Sequence, residues 1–185
     1  PPFYVAVVGT PASFERAGQM GHWIMAIPGV GSDPIASMQI YRDAWQKAGH
    51  TGKPKLLMAV FMYCHEDREI AISIAKPRVE NHFAAIVDAM SEYAEGTPSG
   101  AYVNYDKLRD KIAGQTLESQ IKSMAAFVGT PNDIEEQLRA FDKVTGGCDE
   151  VSMQVLYGNM SYEDAERSVK LFGEEVMPIF LSKDR

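Results

Sequence analysis

The chain is predicted to be an α/β protein of about four βα units, and three observations predict it. Four short apolar runs, Phe3–Val8, Trp23–Ile27, Leu56–Tyr63 and Val151–Leu156, are rich in Val, Ile, Met and aromatic residues and do not alternate with polar ones. Such runs belong to parallel strands covered on both faces. Amphipathic helical patterns lie between them, so strand and helix follow one another along the chain. Finally, the same four residues twice make the passage into a helix, as Val8-Gly9-Thr10-Pro11 and as Val128-Gly129-Thr130-Pro131. A full (β/α)8 barrel needs eight units and roughly 250 residues. At 185 residues the pattern reads as half of such a barrel or as a small open α/β sheet.

The elements follow in order. The first strand, Phe3–Val8, leads through Gly9 and Thr10 into a helix over Ser13–Met20 that ends at Gly21. After the second strand, Pro34 to Ala48 carries Ile35, Met38, Tyr41, Ala44 and Trp45 at three-and-four spacing and stops at Gly49. The third strand precedes a long helical pattern, Glu66–Tyr93, which Pro77 is expected to bend or split. Between 95 and 123 the periodicity breaks at Gly96-Thr97-Pro98-Ser99-Gly100, and this stretch reads as an irregular insertion, a lid or loop. Asn132–Val144 is helical up to Gly146-Gly147, the fourth strand follows, and Tyr162–Val176 closes before Pro178. The chain is thus one partial domain, 1–185. It holds three βα units over 1–94, the excursion over 95–123, and a helix–strand–helix segment over 124–185.

Composition narrows the function classes. A formal charge of −7 and no cluster of Lys or Arg exclude a nucleic-acid surface, which needs a basic stripe. The longest apolar run, Leu56–Tyr63, is strand-sized, so no membrane partner is expected. Two cysteines far apart, Cys64 and Cys148, fit a reduced cytoplasmic protein better than a disulfide framework. The chain opens Pro1-Pro2 and enters a strand at once, without a signal-peptide pattern, and this start reads as that of a fragment.

Both Gly-Thr-Pro turns have the chemistry of a helix start. Glycine lets the chain turn, threonine suits the N-cap and proline the first helical position. The N–H groups and positive dipole end then point outward, which favours phosphate. The first copy, directly behind a buried strand, is the expected place for a cofactor phosphate. Thr130, with Glu135 and Glu136 beyond it, reads as an ordinary helix start, and Ser119 is a weaker candidate still.

Three segments resemble the bacterial luciferase-like flavin monooxygenases. Tyr4 to Gly21 is similar to that family's fifth βα unit, with its small/hydroxyl turn. Phe127-Val-Gly-Thr-Pro-Asn-Asp-Ile-Glu-Glu-Gln-Leu-Arg139 is similar to its late Gly-Thr-Pro segment, and Ser168 to Pro178 to its terminal helix. The resemblance implies the C-terminal half of a flavin-binding (β/α)8 TIM barrel. It implies that Gly9, Thr10 and Ser13 hold the phosphate of FMN, by hydroxyls and backbone N–H groups, with a deazaflavin as the alternative cofactor. The implied activity is oxygenation of a small organic substrate by reduced flavin and O2, or hydride transfer in a deazaflavin relative. The family's catalytic histidine lies in the half not matched here, so no catalytic residue is assigned and the chain alone is expected to be catalytically incomplete.

The remaining candidates have plainer readings beside the chemical ones. None of His22, His50, His65 and His82 has metal-ligand spacing, so no metal is expected. His65 ends the third strand, where barrel sites gather, but reads more simply as a helix-start residue; His50 and His82 read as structural or solvated. Cys64 and His65 are strand neighbours facing opposite sides, so they do not form a thiolate–imidazole pair. Trp23, Met25 and Ile27 suit either a flavin wall or a plain core strand.

Half a barrel leaves edges and an inner face uncovered, which calls for the missing N-terminal half or another copy of the chain as partner. Val5, Val7, Met25, Met58, Val60 and Met153, or their alternating neighbours, are the expected inward residues. A non-catalytic flavin- or phosphate-binding fragment that self-associates, and an unrelated small α/β phosphate-binding module, are the other readings.

Overall fold

A computed structural model describes residues 3–8, 10–28, 34–96 and 105–181. Gly9 and the Thr97–Gly100 part of the excursion lie outside the described residues. The elements are β1 (Tyr4–Val7), α1 (Pro11–Gln19), β2 (Trp23–Ala26), α2 (Pro34–Lys47), β3 (Leu56–Cys64), α3 (Arg68–Gly96), α4 (Tyr105–Ala113), α5 (Leu117–Lys122), β4 (Ala126–Gly129), α6 (Pro131–Thr145), β5 (Glu150–Gln154), α7 (Tyr162–Glu175) and α8 (Met177–Leu181).

All the strands are parallel and form one five-stranded sheet in which β3 is central. The nine-residue β3 meets three neighbours. Along one edge the Lys55 carbonyl accepts from Ile24 N–H, Phe61 N–H donates to the Ala125 carbonyl and His65 N–H donates to the Gly129 carbonyl. β2 and β4 therefore succeed one another on that edge, and β5 pairs along the other. β4 is a strand beyond the four expected. Its four residues are wholly buried, and they extend the sheet only because β3 runs on past the end of β2.

The two faces are covered differently. Even-numbered side chains of β3 (Met58, Val60, Met62 and Cys64) join Val7, Ile24 and Ala26 against Phe14 of α1, Met38 and Tyr41 of α2, and Ile134 and Phe141 of α6. Continuous apolar strands find their burial here. On the opposite, inner face, Phe61 and Tyr63 pack against Ala71, Ala75, Val79 and Phe83 of α3. Elsewhere that face is open: Val8 is 45% exposed, Met25 38% and Ile27 43%. Of the expected inward residues Met25 does face this side, whereas in β1 and β3 the inward residues are the alternating neighbours. Val7, Met58 and Val60 point to the helices and are buried, because strand register fixes which parity faces inward.

Two expectations about the segment between β3 and β4 change. Helix α3 runs unbroken through Pro77. Its buried residues Ala71, Ala75, Val79 and Phe83 hold one stripe against the sheet, and Pro77 lies on the exposed side, where solvent can satisfy the carbonyl it frees. The stretch expected to be irregular carries α4 and α5. α5 is started by a capping box in which Thr116 and Ser119 exchange side-chain and backbone hydrogen bonds.

Candidate functional site

Parallel α/β sheets gather ligands at the carboxyl ends of their strands. In this chain those ends are Val7-Val8, Ala26-Ile27, Cys64-His65, Gly129-Thr130 and Gln154-Val155. The first leads into α1. Thr10 occupies the N-cap with extended geometry, yet its side chain makes no capping bond, and Pro11 begins the helix. Instead the Thr10 hydroxyl meets the Ser13 hydroxyl at 2.7 Å, both exposed. No acidic residue stands in the first turn. Two exposed hydroxyls thus stand at the positive end of a helix whose own first turn carries no carboxylate. The structure brings Thr10 and Ser13 together, and Thr10 does not make the side-chain cap expected of it.

The second Gly-Thr-Pro turn has a different fate. Thr130 caps α6 in a reciprocal box with Asp133. Asp133 Oδ2 accepts from Thr130 N–H at 2.9 Å and from the Thr130 hydroxyl at 2.8 Å. Arg68, from the start of α3, donates to both oxygens of that carboxylate, with Nε 2.9 Å from Oδ2. The Arg68 hydrogen bond, aided by those of Thr130, holds the Asp133 carboxyl down at about 2. Gly129, at φ 148°, brings the chain so close that a Cβ there would lie 2.6 Å from Asp133 Oδ2. The protein's own carboxylate thus occupies the anion position of the second turn. The residue three places after the threonine, Ser13 in one case and Asp133 in the other, separates an open helix end from a filled one.

The other candidates resolve one by one. Ser119 is used up in the α5 box and by the Gln115 side chain at 3.1 Å. His65 is 6% exposed, and its Nδ1 accepts from Asp67 N–H at 3.0 Å, so it serves the loop that starts α3. His50 Nε2 pairs with the Gln19 carbonyl at 2.9 Å, and its ring lies on Trp45. Cys64 lies in the helix-side core, where burial pushes its thiol up to about 12; it is no nucleophile. Met25 and Ile27 are partly exposed on the inner face. Trp23 packs edge-on against Tyr4 near the amino ends of the strands, with Lys55 over its ring.

Beneath the excursion the inner face lines a hollow of about 190 Å³ that is open at Val8 and Ile27. Val8, Ile27, Ala59, Phe61 and Gln154 form its floor, contributed by the carboxyl halves of β1, β2, β3 and β5 and the residues that follow them. Its roof comes from the long helix before the excursion (His82, Phe83 and Ile86 of α3), from the excursion (Ile112 of α4 and Gln120 of α5) and from Ala125 after it. The His82 ring stands edge-on to Phe61 at 5.0 Å between centroids, and burial lowers its basicity. The sequence alone did not place His82 at a cavity. Its spacing places it beside Ile86, one turn on, but only the packing of α3 over the sheet turns that strip toward a cavity.

The luciferase-like monooxygenase family model matches residues 1–147. Among solved structures, the monooxygenase RslO1 from Streptomyces bottropensis superposes with a TM-score of 0.67 at 24% identity, covering 97% of this chain and 48% of that one. The oxygenating constituent of 3,6-diketocamphane monooxygenase from Pseudomonas putida, in complex with FMN, gives 0.67 at 18% identity, covering 96% and 48%. The coenzyme F420-dependent tetrahydromethanopterin reductase from Methanopyrus kandleri gives 0.59 at 15% identity, covering 97% and 51%. This chain therefore spans about half the length of each. A search of curated proteins returned no match. No helix among the described residues is long and apolar enough to cross a membrane. The parallel sheet and its helices correspond to half of a TIM-barrel enzyme of this kind, and with more than half its length matched, the chain belongs to the luciferase-like monooxygenase family.

Proposed function

We propose that the chain holds the phosphate of FMN at the amino end of α1 and forms the phosphate-binding half of an enzyme that oxygenates a small organic substrate with reduced flavin and O2. One observation carries this reading. The Thr10 and Ser13 hydroxyls stand 2.7 Å apart at a helix start whose first turn carries no acidic residue, while the same tetrapeptide at Thr130 is filled by Asp133. A phosphate dianion needs donors and no competing negative charge, and this reading is supported by the two hydroxyls and by a first turn without an acidic residue.

Thr10 and Ser13 donate to phosphate oxygens, and the α1 dipole favours the charge. Val8 and Ile27 supply an apolar surface that limits water beside the ring system. The flavin itself, once bound, supplies the redox chemistry with oxygen. None of the four histidines is given a catalytic role. The exposed inner-face residues Val8, Met25 and Ile27 call for cover from an N-terminal half or a second copy of the chain, which would complete the catalytic centre. The FMN complex of the Pseudomonas putida protein supports the choice of cofactor. A deazaflavin with hydride transfer is the second reading, favoured by the likeness to the F420-dependent reductase.

Fluorescence titration with FMN and, separately, with F420 tests both. Thr10→Val combined with Ser13→Ala is expected to weaken binding of the preferred cofactor by about 1–3 kcal/mol, the loss of hydrogen bonds to a charged group. Thr130→Val is the control: it leaves that affinity alone and costs about 1 kcal/mol of stability as a lost cap. Unchanged affinity in the double variant rules the α1 site out.

A further inference from the structure

At the amino ends of the strands, opposite the α1 turn, the chain forms another cleft, of about 520 Å³. Its walls are the last turns of α2, residues 52–54 before β3, and residues 146–149 between α6 and β5. Two cations line it, Arg42 and Lys53, against one carboxylate, Asp149. That carboxylate is already engaged, since its Oδ2 accepts from Leu56 N–H at 2.9 Å. Neither cation has a carboxylate within ion-pair reach among the described residues. In a chain of net charge −7, a cleft whose charged side chains sum to a positive value runs against the overall balance.

The guanidinium is fixed in place. Arg42 Nη1 donates to the Thr145 carbonyl at 2.7 Å and Nη2 to the Gly147 carbonyl at 2.8 Å. It therefore stands at the last carbonyls of α6, whose negative dipole end would otherwise repel an anion. Gly146 leaves it room, because an added Cβ there would lie 3.1 Å from Nη1. Two carbonyls occupy only part of the donor fork and none of the charge. On the same face of α2, one turn on, Trp45 is 7% exposed and its indole Nε1 is a buried donor without a partner. An orphaned donor of this kind marks a missing acceptor. The His50 ring lies 5.0 Å from that of Trp45 and is tied by Nε2 to the Gln19 carbonyl at 2.9 Å. The cleft thus holds a fixed positive charge and a spare donor on one helix face.

We propose that this cleft binds a small organic oxyanion, a carboxylate or a phosphate monoester, with Arg42 and Lys53 as counter-charges and the Trp45 indole N–H completing the donor set. A guanidinium held in one orientation suits the oxygens of either anion, and hydrogen bonds to charged oxygens are the strong ones. The site is at the opposite end of the sheet from Thr10 and Ser13, so its ligand is neither the flavin nor a molecule that reacts with it, and the proposal stands apart from the oxygenase reading. Bound there, the anion ties the end of α2 to the entries of β3 and β5, and it stabilises the folded chain by mass action.

The test titrates the 185-residue chain with inorganic phosphate, succinate and chloride at constant ionic strength. Binding is read from the indole N–H signals in proton–nitrogen NMR spectra. The chain has two tryptophans, so the Trp45 signal is the one missing from Trp45→Phe. Phosphate or succinate is expected to move that signal saturably and to raise Tm, and chloride to do neither; the tighter of the two identifies the anion class. Lys53→Gln, at an exposed side chain, should weaken binding about two- to fivefold with the fold intact. Arg42→Gln should weaken it about tenfold or more, and Arg42→Lys should restore part of the loss. Because Arg42 also holds the end of α6, Lys53→Gln decides the matter if Arg42→Gln does not fold. In the Thr10→Val, Ser13→Ala chain the Trp45 response should persist, whatever becomes of FMN binding. No saturable shift with either anion, an equal shift with chloride, unchanged binding in Lys53→Gln, or loss of the response in the Thr10, Ser13 double variant overturns the proposal. Failure of the FMN titration with a retained Trp45 response refutes the flavin reading alone.

Discussion

Replacing Ser13 with Asp should turn the open helix start of α1 into a copy of the filled one at α6, with stability and flavin affinity moving in opposite directions. In the α6 box, Asp133 takes both the N–H and the hydroxyl of Thr130. An aspartate at residue 13 stands at the same distance in sequence from Thr10, which now makes no side-chain capping bond. A new cap plus a negative charge at the positive helix end is worth about 0.5–1 kcal/mol, and a gain of that size raises Tm by about 1–4 °C in a domain of this length. The phosphate meets the opposite effect. The Thr10 and Ser13 hydroxyls are exposed, so the water-like limit applies: about 1 kcal/mol per unit charge at 4 Å, or about 2 kcal/mol against a dianion. Losing the charge-assisted bond from Ser13 adds about 1 kcal/mol. The sum, about 3 kcal/mol, is a weakening of FMN of the order of a hundredfold. FMN titration and thermal unfolding on the same variant supply both numbers. A more stable protein with unchanged FMN affinity would refute the phosphate assignment; a less stable one would refute the capping argument.

Two further predictions follow from the same geometry. The folded pKa of Asp133, held at about 2 by Arg68, lies below that of an unfolded aspartate near 4. The stability it contributes is therefore complete above about pH 4 and is lost as the pH falls toward 2. Urea midpoints measured across that window should fall in the natural chain and fall less in Asp133→Asn. Separately, Val8, Met25 and Ile27 leave apolar surface on the inner face, and burying each is worth up to about 1.5–3 kcal/mol. Sedimentation equilibrium at micromolar concentration should find the 20.4 kDa chain as a dimer or larger species, and Met25→Lys with Ile27→Lys should shift it toward monomer. A well-folded monomer in the unsubstituted chain would remove the need for a covering partner.

The alternation of strands and helices was legible because it rests on local rules. Leu56–Tyr63 is too apolar for anything but a strand covered on both sides, and Gly21, Gly49 and Gly146-Gly147 end helices where a left-handed residue is cheap. The different fates of the two Gly-Thr-Pro turns were also within reach. Thr130-Pro-Asn-Asp133 spells a local capping pattern with the acidic group at the third helical position, and Thr10-Pro-Ala-Ser13 does not. What pairing between distant segments decides could not be read from order alone. The tetrapeptide Ala126–Gly129 is a strand because β3 continues beyond β2 and leaves an edge free. Helix α3 survives Pro77 because its buried alanine and valine stripe packs on the sheet while the proline faces outward. Arg68 reaches Asp133 across sixty-five residues. His82 becomes a cavity group only when α3 folds over the inner face and Gly158 lets the helix come close. Local propensity and hydrophobic period act within a few residues, whereas register, burial and charge partners are properties of the closed packing.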